Sequence, residues 1–247
     1  MRVAIVVPVL NETANMAELI GHLPQAGLDD ACEVVVVDGG SSDGTPEVAR
    51  QLLSALSVDE SVPLALGANA PAAPTRWQVL SGPRGRARQM NAGAGQTNTD
   101  ALLFLHADTR LPPDAIAQLR WALQQGAVWG RFDVQIQGQA QMLRVVAAMM
   151  NLRSRISGIA TGDQAMFMTR QAYEQVGGLP DQPLMEDIAM SERLKRMGPP
   201  ACLRARVRTS GRRWEQGGVW RTIFLMWRLR LAYWLGAKPE TLARAYR

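Results

Sequence analysis

Two hydrophobic periods alternate along the first half of the chain. Residues 2–9 (RVAIVVPV) are an apolar, β-branched run of strand length, and Met16, Leu19, Ile20 and Leu23 then recur at helical spacing until Pro24 stops them. Residues 33–38 (EVVVVD) repeat the strand pattern without polar alternation, as expected of a parallel strand covered on both faces. Thr45 and Pro46 read as helix N-cap and first helical position ahead of Val48, Leu52 and Leu56. A third apolar run, 101–105 (ALLFL), precedes a helix that starts after Pro112 and Pro113, carries Ile116, Leu119 and Leu123, and ends at Gly126. This is βαβ logic and predicts a parallel sheet. Residues 57–75, rich in Ala, Pro and Gly without a helical period, read as a surface loop or insertion.

The second half changes character. Residues 127–136 (AVWGRFDVQI) predict a strand, 139–159 a Met- and Ala-rich helix, and 201–209 (ACLRARVRT) a strand with alternating arginines. Residues 219–236 are dense in Trp, Leu and Phe but interrupted by three arginines. No internal repeat is visible. The expected class is α/β, with a mainly parallel sheet and a C-terminal helical segment.

Composition narrows this only a little. At 247 residues, 47% apolar and 20% charged, the chain suits one large globular domain. Its two cysteines, far apart, indicate neither a disulfide framework nor a metal cluster and fit a reducing, cytoplasmic setting. The apolar N-terminus is short and lacks a small-residue cleavage site, and no uninterrupted apolar stretch is long enough to span a bilayer. A net charge of +5 leans towards anionic partners, without choosing among nucleic acid, phosphorylated small molecules and a membrane surface.

Candidate chemistry lies just past strand ends or at a helix start: Glu12, Asp38, Asp108, and the pair Glu186 and Asp187. In open α/β sheets ligands bind outside the carboxyl ends of the strands, so these acids would converge although they are distant in sequence. Around Asp38 the text VVVVDGGSSDGT lacks the dinucleotide fingerprint but suits hydrogen bonding to a ribose or base edge. GPRGRARQMNAGA (82–94) sets Arg84, Arg86 and Arg88 beside a glycine-rich turn, suited to a diphosphate or base or, more plainly, to a solvated helix start. Met185, Ile188 and Met197 share a helical stripe, which puts Glu186 and Asp187 in a first turn where the helix dipole favours their ionised form.

VVPVLNE, VVVVDGGSSDGT, LLFLHADT and MEDIAMSERLKR, in that order, resemble the family 2 glycosyltransferases, from Arg2 to about Trp214. The likeness is greatest to the bacterial branch with HADT and GDQ signatures, the arsenosugar-type and uncharacterised glycosyltransferases. It implies the GT-A fold, a Rossmann-like, mainly parallel sheet flanked by helices, with a catalytic domain over 1–214 and a helical extension over 215–247. In such enzymes the positions matching Pro8, Leu10, Glu12 and Asp38 cradle the nucleoside, and Arg86, Arg88 and His106 would join them on the donor. The short acidic motif that holds the metal and diphosphate is matched by His106, Ala107 and Asp108. His106 replaces its first acid, which leaves Asp108 as the metal ligand for Mn²⁺ or Mg²⁺. Three roles stay open for His106: a ribose partner, a water-mediated metal contact, or packing.

By the same resemblance Asp187 is the base that accepts the acceptor's proton in an inverting transfer, with Glu186 its neighbour or an acceptor ligand. Asp163 and Gln164 of TGDQAMFM are sugar-hydroxyl partners, and Arg213 and Trp214 of SGRRWEQGG meet the diphosphate or acceptor. The implied partners are a UDP- or GDP-linked sugar and an unknown acceptor, not nucleic acid. A degenerate nucleotide-sugar-binding or scaffold protein is the alternative that His106 motivates. In 219–236, Trp and Arg on a greasy helix suit the headgroup region at the inner face of a cytoplasmic membrane, although packing on the parent domain or pairing with a second copy is the stronger expectation for such a helix.

Overall fold

The structure, a computed structural model, describes residues 1–57 and 76–246, so the loop expected over 57–75 falls outside the described residues from 58 on. Strands β1 (Val3–Val9), β2 (Cys32–Asp38), β3 (Arg76–Ser81) and β4 (Ala101–Phe104) pair in parallel. Their uniform apolar composition serves two cores. Ile5, Val34, Val36 and Leu103 face one cluster with Met16, Leu19 and Ile116, whereas Ala4, Val6, Val35, Val37 and Leu102 face another with Met90 and Ala94. Helices α1 (Thr13–His22), α2 (Thr45–Ser57), α3 (Arg86–Gly95) and α4 (Ala115–Gln124) connect and cover these strands.

Helix α3, which the sequence left open, lies very close to the sheet. A Cβ at Gly93 would stand 2.5 Å from Val6 Cγ1 and 2.8 Å from Val37 Cγ2. Buried Gln89 donates from Nε2 to the carbonyls of Val9 at 2.7 Å and Val37 at 2.8 Å, tying the ends of β1 and β2 together. Arg86 is thereby fixed at the helix start, above those strand ends.

The remaining strands are β5 (Thr109–Arg110), β6 (Trp129–Gln137), β7 (Phe167–Thr169) and β8 (Ala201–Ser210). The sheet order is β3-β2-β1-β4-β7-β6-β8-β5, with β7 antiparallel to both β4 and β6, β8 parallel to β6, and β5 antiparallel to β8. Strands β5 and β7 were not foreseen because two- and three-residue strands carry no readable period. Only residues 105–108 separate β4 from β5, yet three strands lie between them in the sheet. So short a link reaches only because the sheet curls, and the curl carries residues 106–108 across its mouth.

Helix α5 (Met142–Ser157), shorter than the expected 139–159, covers β6. Strand β8 bulges at Arg204 and Ala205, opposite Phe132 and Asp133 of β6, and Asn151 of α5 accepts from the Val134 N–H at 2.8 Å and donates to its carbonyl at 2.9 Å. Fully buried Arg131 pairs with Asp133, which also holds Arg155. Helices α6 (Arg170–Gln175), α7 (Glu186–Lys195), α8 (Arg212–Gly217), α9 (Val219–Trp234) and α10 (Pro239–Tyr246) complete the chain. Leu229 of α9 and Leu242 of α10 pack with Leu184, Met185 and Ile188, seating the C-terminal helices on the start of α7.

His22, at the end of α1, fixes the segment after the mouth. Its Nε2 accepts from the Leu111 N–H at 2.9 Å, so Nδ1 carries the hydrogen that meets the Leu19 carbonyl at 2.8 Å. Burial, then the charge of Arg110, lowers its pKa from 6.5 to about 4. The unfolded chain therefore takes up a proton in that window that the folded chain refuses, and stability falls as pH drops through it, by about 3 kcal/mol in full. Urea unfolding of the wild type and of His22→Gln across this range is expected to show the variant weaker at neutral pH but flatter towards acid. Parallel curves would rule out a buried neutral imidazole.

Candidate functional site

Parallel register sets Val9 beside Asp38 and Asp38 beside Ser81, so β1, β2 and β3 end on one edge. A cavity of about 260 Å³ opens there. One wall comes from Pro8 near the end of β1 and Glu12 just past it, Arg86 of α3, and His106, Ala107 and Asp108 in the β4–β5 link. Asp163 adds an acid from the 3-10 turn Gly162–Gln164. The far wall is Thr209 and Ser210 at the end of β8, Arg212, Arg213 and Trp214 of α8, and Tyr246 of α10.

Each wall has a local cause. Pairing of Thr109 with Thr209, and the Ser210 N–H donating to the Asp108 carbonyl at 3.2 Å, bring β8 to the acid. Helix α8 begins at Gly211, whose N–H donates to the Gln137 carbonyl at 2.7 Å; a Cβ there would lie 2.2 Å from that oxygen. Arg213 stacks on the Tyr246 ring, its guanidinium carbon 3.5 Å from the centroid, and donates to the Tyr246 carbonyl at 2.9 Å.

His106 packs against Gly162, where a Cβ would be 2.3 Å from the imidazole Cε1, and its Nδ1 stands 3.3 Å from Asp163 Oδ1. Burial acts to raise the Asp163 pKa, but the hydrogen bond and charge of His106, with the charges of Arg86 and Arg230, outweigh it and hold the carboxyl below its ordinary range. Glu186 is moved the other way. Its burial, then the charge of Asp187, raises its pKa, and Arg86, 3.3 Å away, offsets only part of the rise. Asp187 accepts from the Gly162 N–H at 2.9 Å and from the Ile188 N–H at 2.8 Å, so it ties the start of α7 to the turn that carries Asp163.

Backbone strain collects around this edge. Asn11, Ala165 and Met185 have φ of 54°, 47° and 65°. Asn11 precedes Glu12, Ala165 follows the Gly162–Gln164 turn, and Met185 immediately precedes Glu186. Left-handed geometry at a non-glycine residue costs roughly 1–2 kcal/mol and persists where packing over-determines it, often at functional sites.

Of the residues singled out in the sequence, Pro8, Glu12, Arg86, His106, Asp108, Asp163, Arg213 and Trp214 line one cavity. Glu186 and Asp187 stand behind that wall, joined to it through Arg86 and Gly162. Leu10 is outside the lining. So is Asp38, whose carboxylate is occupied by the N–H groups of Gly40 and Ser41 and by the Ser41 hydroxyl. Arg88 turns to Asp181 at 2.7 Å. Gln164 is buried, its side chain closing a reciprocal cap with Thr161 and reaching Asn151 at 3.4 Å. Thr209, Ser210, Arg212 and Tyr246 went unread: strand pairing and the return of α10 bring them in, and no local motif marks either.

Among the described residues no cluster of three or more His, Cys, Asp or Glu could enclose a metal. The donor set fits a hard cation shared with a ligand instead, since such ions are commonly held by one or two carboxylates plus phosphate oxygens. Asp108, whose carboxylate meets only the Thr109 hydroxyl among the described residues, at 3.3 Å, has that capacity to spare.

The family model for glycosyl transferase family 2 matches residues 4–176. The undecaprenyl-phosphate 4-deoxy-4-formamido-L-arabinose transferase of Yersinia pestis (strain Pestoides F) is 30% identical over 179 residues, covering 70% of this chain and 49% of that protein. Its counterpart in Pseudomonas aeruginosa (strain LESB58) is 32% identical over 126 residues, 50% of this chain and 33% of that protein. This chain thus spans about half or less of the length of these relatives. Among solved structures, the mannosyltransferase PcManGT from Pyrobaculum calidifontis in complex with GDP-Man and Mn²⁺ aligns with a TM-score of 0.65 at 21% identity, covering 99% of this chain and 68% of that one. S. aureus TarS 1-349 in complex with UDP aligns at 0.62 and 16% identity, covering 85% and 60%. The curled, mostly parallel sheet is the GT-A fold, and with a family match across most of its length this chain belongs to glycosyl transferase family 2.

Proposed function

We propose that this chain is a glycosyltransferase that moves a sugar, with inversion, from a UDP- or GDP-linked donor to an acceptor hydroxyl. The observation that carries the reading is the meeting of Pro8, Glu12, Arg86, His106, Asp108 and Asp163 on one small polar cavity at the strand ends. The nucleoside would lie against Pro8 and Glu12, with Arg86 and His106 towards the diphosphate. A divalent cation, Mn²⁺ or Mg²⁺, held by Asp108 would neutralise charge on the departing diphosphate. Structural neighbours bound to UDP and to GDP-Man with Mn²⁺ support this arrangement.

The transfer needs one base. The acceptor oxygen forms a bond to the anomeric carbon, the bond from that carbon to the diphosphate oxygen breaks with its electron pair leaving on the nucleotide, and the acceptor's proton goes to Asp187. Asp187 lies in the first turn of α7, at the positive end of the helix dipole. Glu186, with its raised pKa, stays beside it as a neighbour or acceptor ligand, and Asp163, Arg213 and Trp214 are the sugar and acceptor partners. We place the catalytic unit at 1–214 with 215–247 as its helical extension, in the arsenosugar-type branch marked by HADT at 106–109 and GDQ at 162–164, working on the cytoplasmic side. His106 in place of an acid favours one second reading, a nucleotide-sugar-binding protein without transfer.

Thermal shift with UDP or GDP, with and without Mn²⁺, followed by donor hydrolysis, separates the readings, because a ligand bound only by the folded form raises the melting temperature. Wild type should show a metal-dependent shift and slow donor turnover; a shift without turnover supports the binding protein, and no shift with either nucleotide sinks both. Asp108→Ala is expected to lose the metal-dependent part of the shift. Asp187→Asn should keep the shift and lose roughly 10²–10⁴-fold in turnover.

Gly162→Ala drives a methyl group into the His106 ring. If the imidazole acts on the donor, Gly162→Ala and His106→Ala will each slow turnover, and the double variant will be no slower than His106→Ala alone. Turnover unchanged in His106→Ala would assign His106 no part beyond packing, and additive losses would show that Gly162→Ala acts by another route.

A further inference from the structure

Helix α9 is anchored by one face only. Thr222 and Leu229 are buried, and Leu225, Met226 and Tyr233 pack against the start of α7 and α10. On the other face Trp220, Phe224, Trp227, Leu231 and Trp234 recur at steps of four and three, a single stripe, and are 57–78% exposed. At 100° per residue, Arg221 and Arg228 run along one edge of this stripe and Arg230 along the other. Neighbouring α5 repeats the arrangement: Val145, Met149, Leu152 and Ile156 form an exposed stripe, with Arg144, Arg153 and Arg155 on the same helix.

We propose that α9, with α5 beside it, docks the enzyme on an anionic lipid bilayer, its aromatic stripe in the headgroup region and its arginines on lipid phosphates. Charge decides against the other apolar partner, a second copy of this chain. Neither α5 nor α9 carries a carboxylate, so self-pairing through these stripes would set arginine rows together with no acid on either helix to answer them. Within one chain the crowding is already felt. Nε and Nη2 of Arg153 are buried without a hydrogen-bond partner among the described residues, and burial followed by the charge of Arg230 brings its pKa down to about 10.

The surface is also continuous with the catalytic cavity. A groove of about 980 Å³ runs along α9, lined by Arg212, Arg213, Arg221 and Arg228 with Phe224 and Leu225, and among the described residues no carboxylate is in its lining. Arg212, Arg213 and Tyr246 line both groove and cavity, so a headgroup held in the groove would face the reacting edge. Among the described residues no helix is long and apolar enough to cross a membrane, so this contact would be peripheral.

Co-sedimentation with vesicles of phosphatidylcholine alone and of phosphatidylcholine mixed with phosphatidylglycerol tests the docking, with sedimentation velocity reporting self-association. The protein should pellet with the anionic vesicles, release at high salt and remain monomeric without them. Replacing Trp220, Trp227 and Trp234 together by Ser should abolish pelleting while donor hydrolysis and melting temperature stay at wild-type values. Arg221→Gln with Arg228→Gln should weaken binding to the anionic vesicles roughly 10–30-fold. No pelleting with either vesicle, pelleting indifferent to the tryptophans, or a dimer that the triple variant dissociates would each overturn the proposal. Because the vesicle assay needs no turnover, its outcome stands apart from that of the catalytic reading.

Discussion

The pairing of Thr109 and Arg110 with Thr209 and Arg208 is the constraint on which the site depends. It joins the fourth strand of the sheet order to the last through four residues, which forces the curl and stretches His106, Ala107 and Asp108 across its mouth. Such a segment would be free to flex if only its ends were tied. It is tied along its length: Arg110 donates to the Ala107 carbonyl at 2.7 Å, the Thr109 hydroxyl meets that of Thr209 at 3.1 Å, and His22 of α1 takes the Leu111 N–H. Asp108 is thus held by backbone and by neighbours while its own carboxylate stays nearly unengaged. That division suits a ligand-facing acid, since orientation is supplied in advance and coordinating capacity is kept.

Electrostatics in the cleft follow from the same packing. Arg86 stands where α3 is pinned to the sheet by Gln89 and Gly93, and from there its charge acts on Glu186, Asp163 and Asp187 at once. Asp163 and Glu186 are pushed in opposite directions because their surroundings differ: Asp163 has His106 for a partner, whereas Glu186 is buried beside a second acid. Two nearby carboxyls with separated proton affinities allow one to hold charge while the other resists it, a common basis for dividing acid and base work. The hydrogen bond from Gly162 to Asp187 links this division to the position of the imidazole.

Much of the frame was legible in the sequence because parallel strands buried on both faces must be apolar throughout, and β1, β2 and β4 were read from that within a residue or so. Strands β5 and β7 were not, since two or three residues show no period and their existence depends on a curl that no local pattern encodes. The convergence of Glu12 and Asp108 was foreseeable for the same reason as the strands, parallel register gathering their ends, whereas Asp163, in a turn before an antiparallel strand, was reached only through the family resemblance. Side-chain direction was not: Asp38 and Arg88 were singled out by position, yet one is taken up by its own loop and the other by Asp181. Tyr246 could not be found in advance, because only the fold of α10 back onto α8 brings it to Arg213.

The pattern of α9 shows what periodicity can and cannot decide. Spacing predicted a helix with arginines on opposite sides, and by itself it fitted burial on the parent domain as well as exposure. The structure divides the helix. Leu229 and Thr222 satisfy the first alternative, while the aromatic stripe is left to solvent between its arginines. A large apolar stripe kept in water costs solubility with no return to the fold, and burying it inward would have required moving Arg221, Arg228 and Arg230 off its margins. Their retention there is the feature that a purely structural helix does not need, since arginines bordering an aromatic face are of use where an apolar layer meets anionic groups.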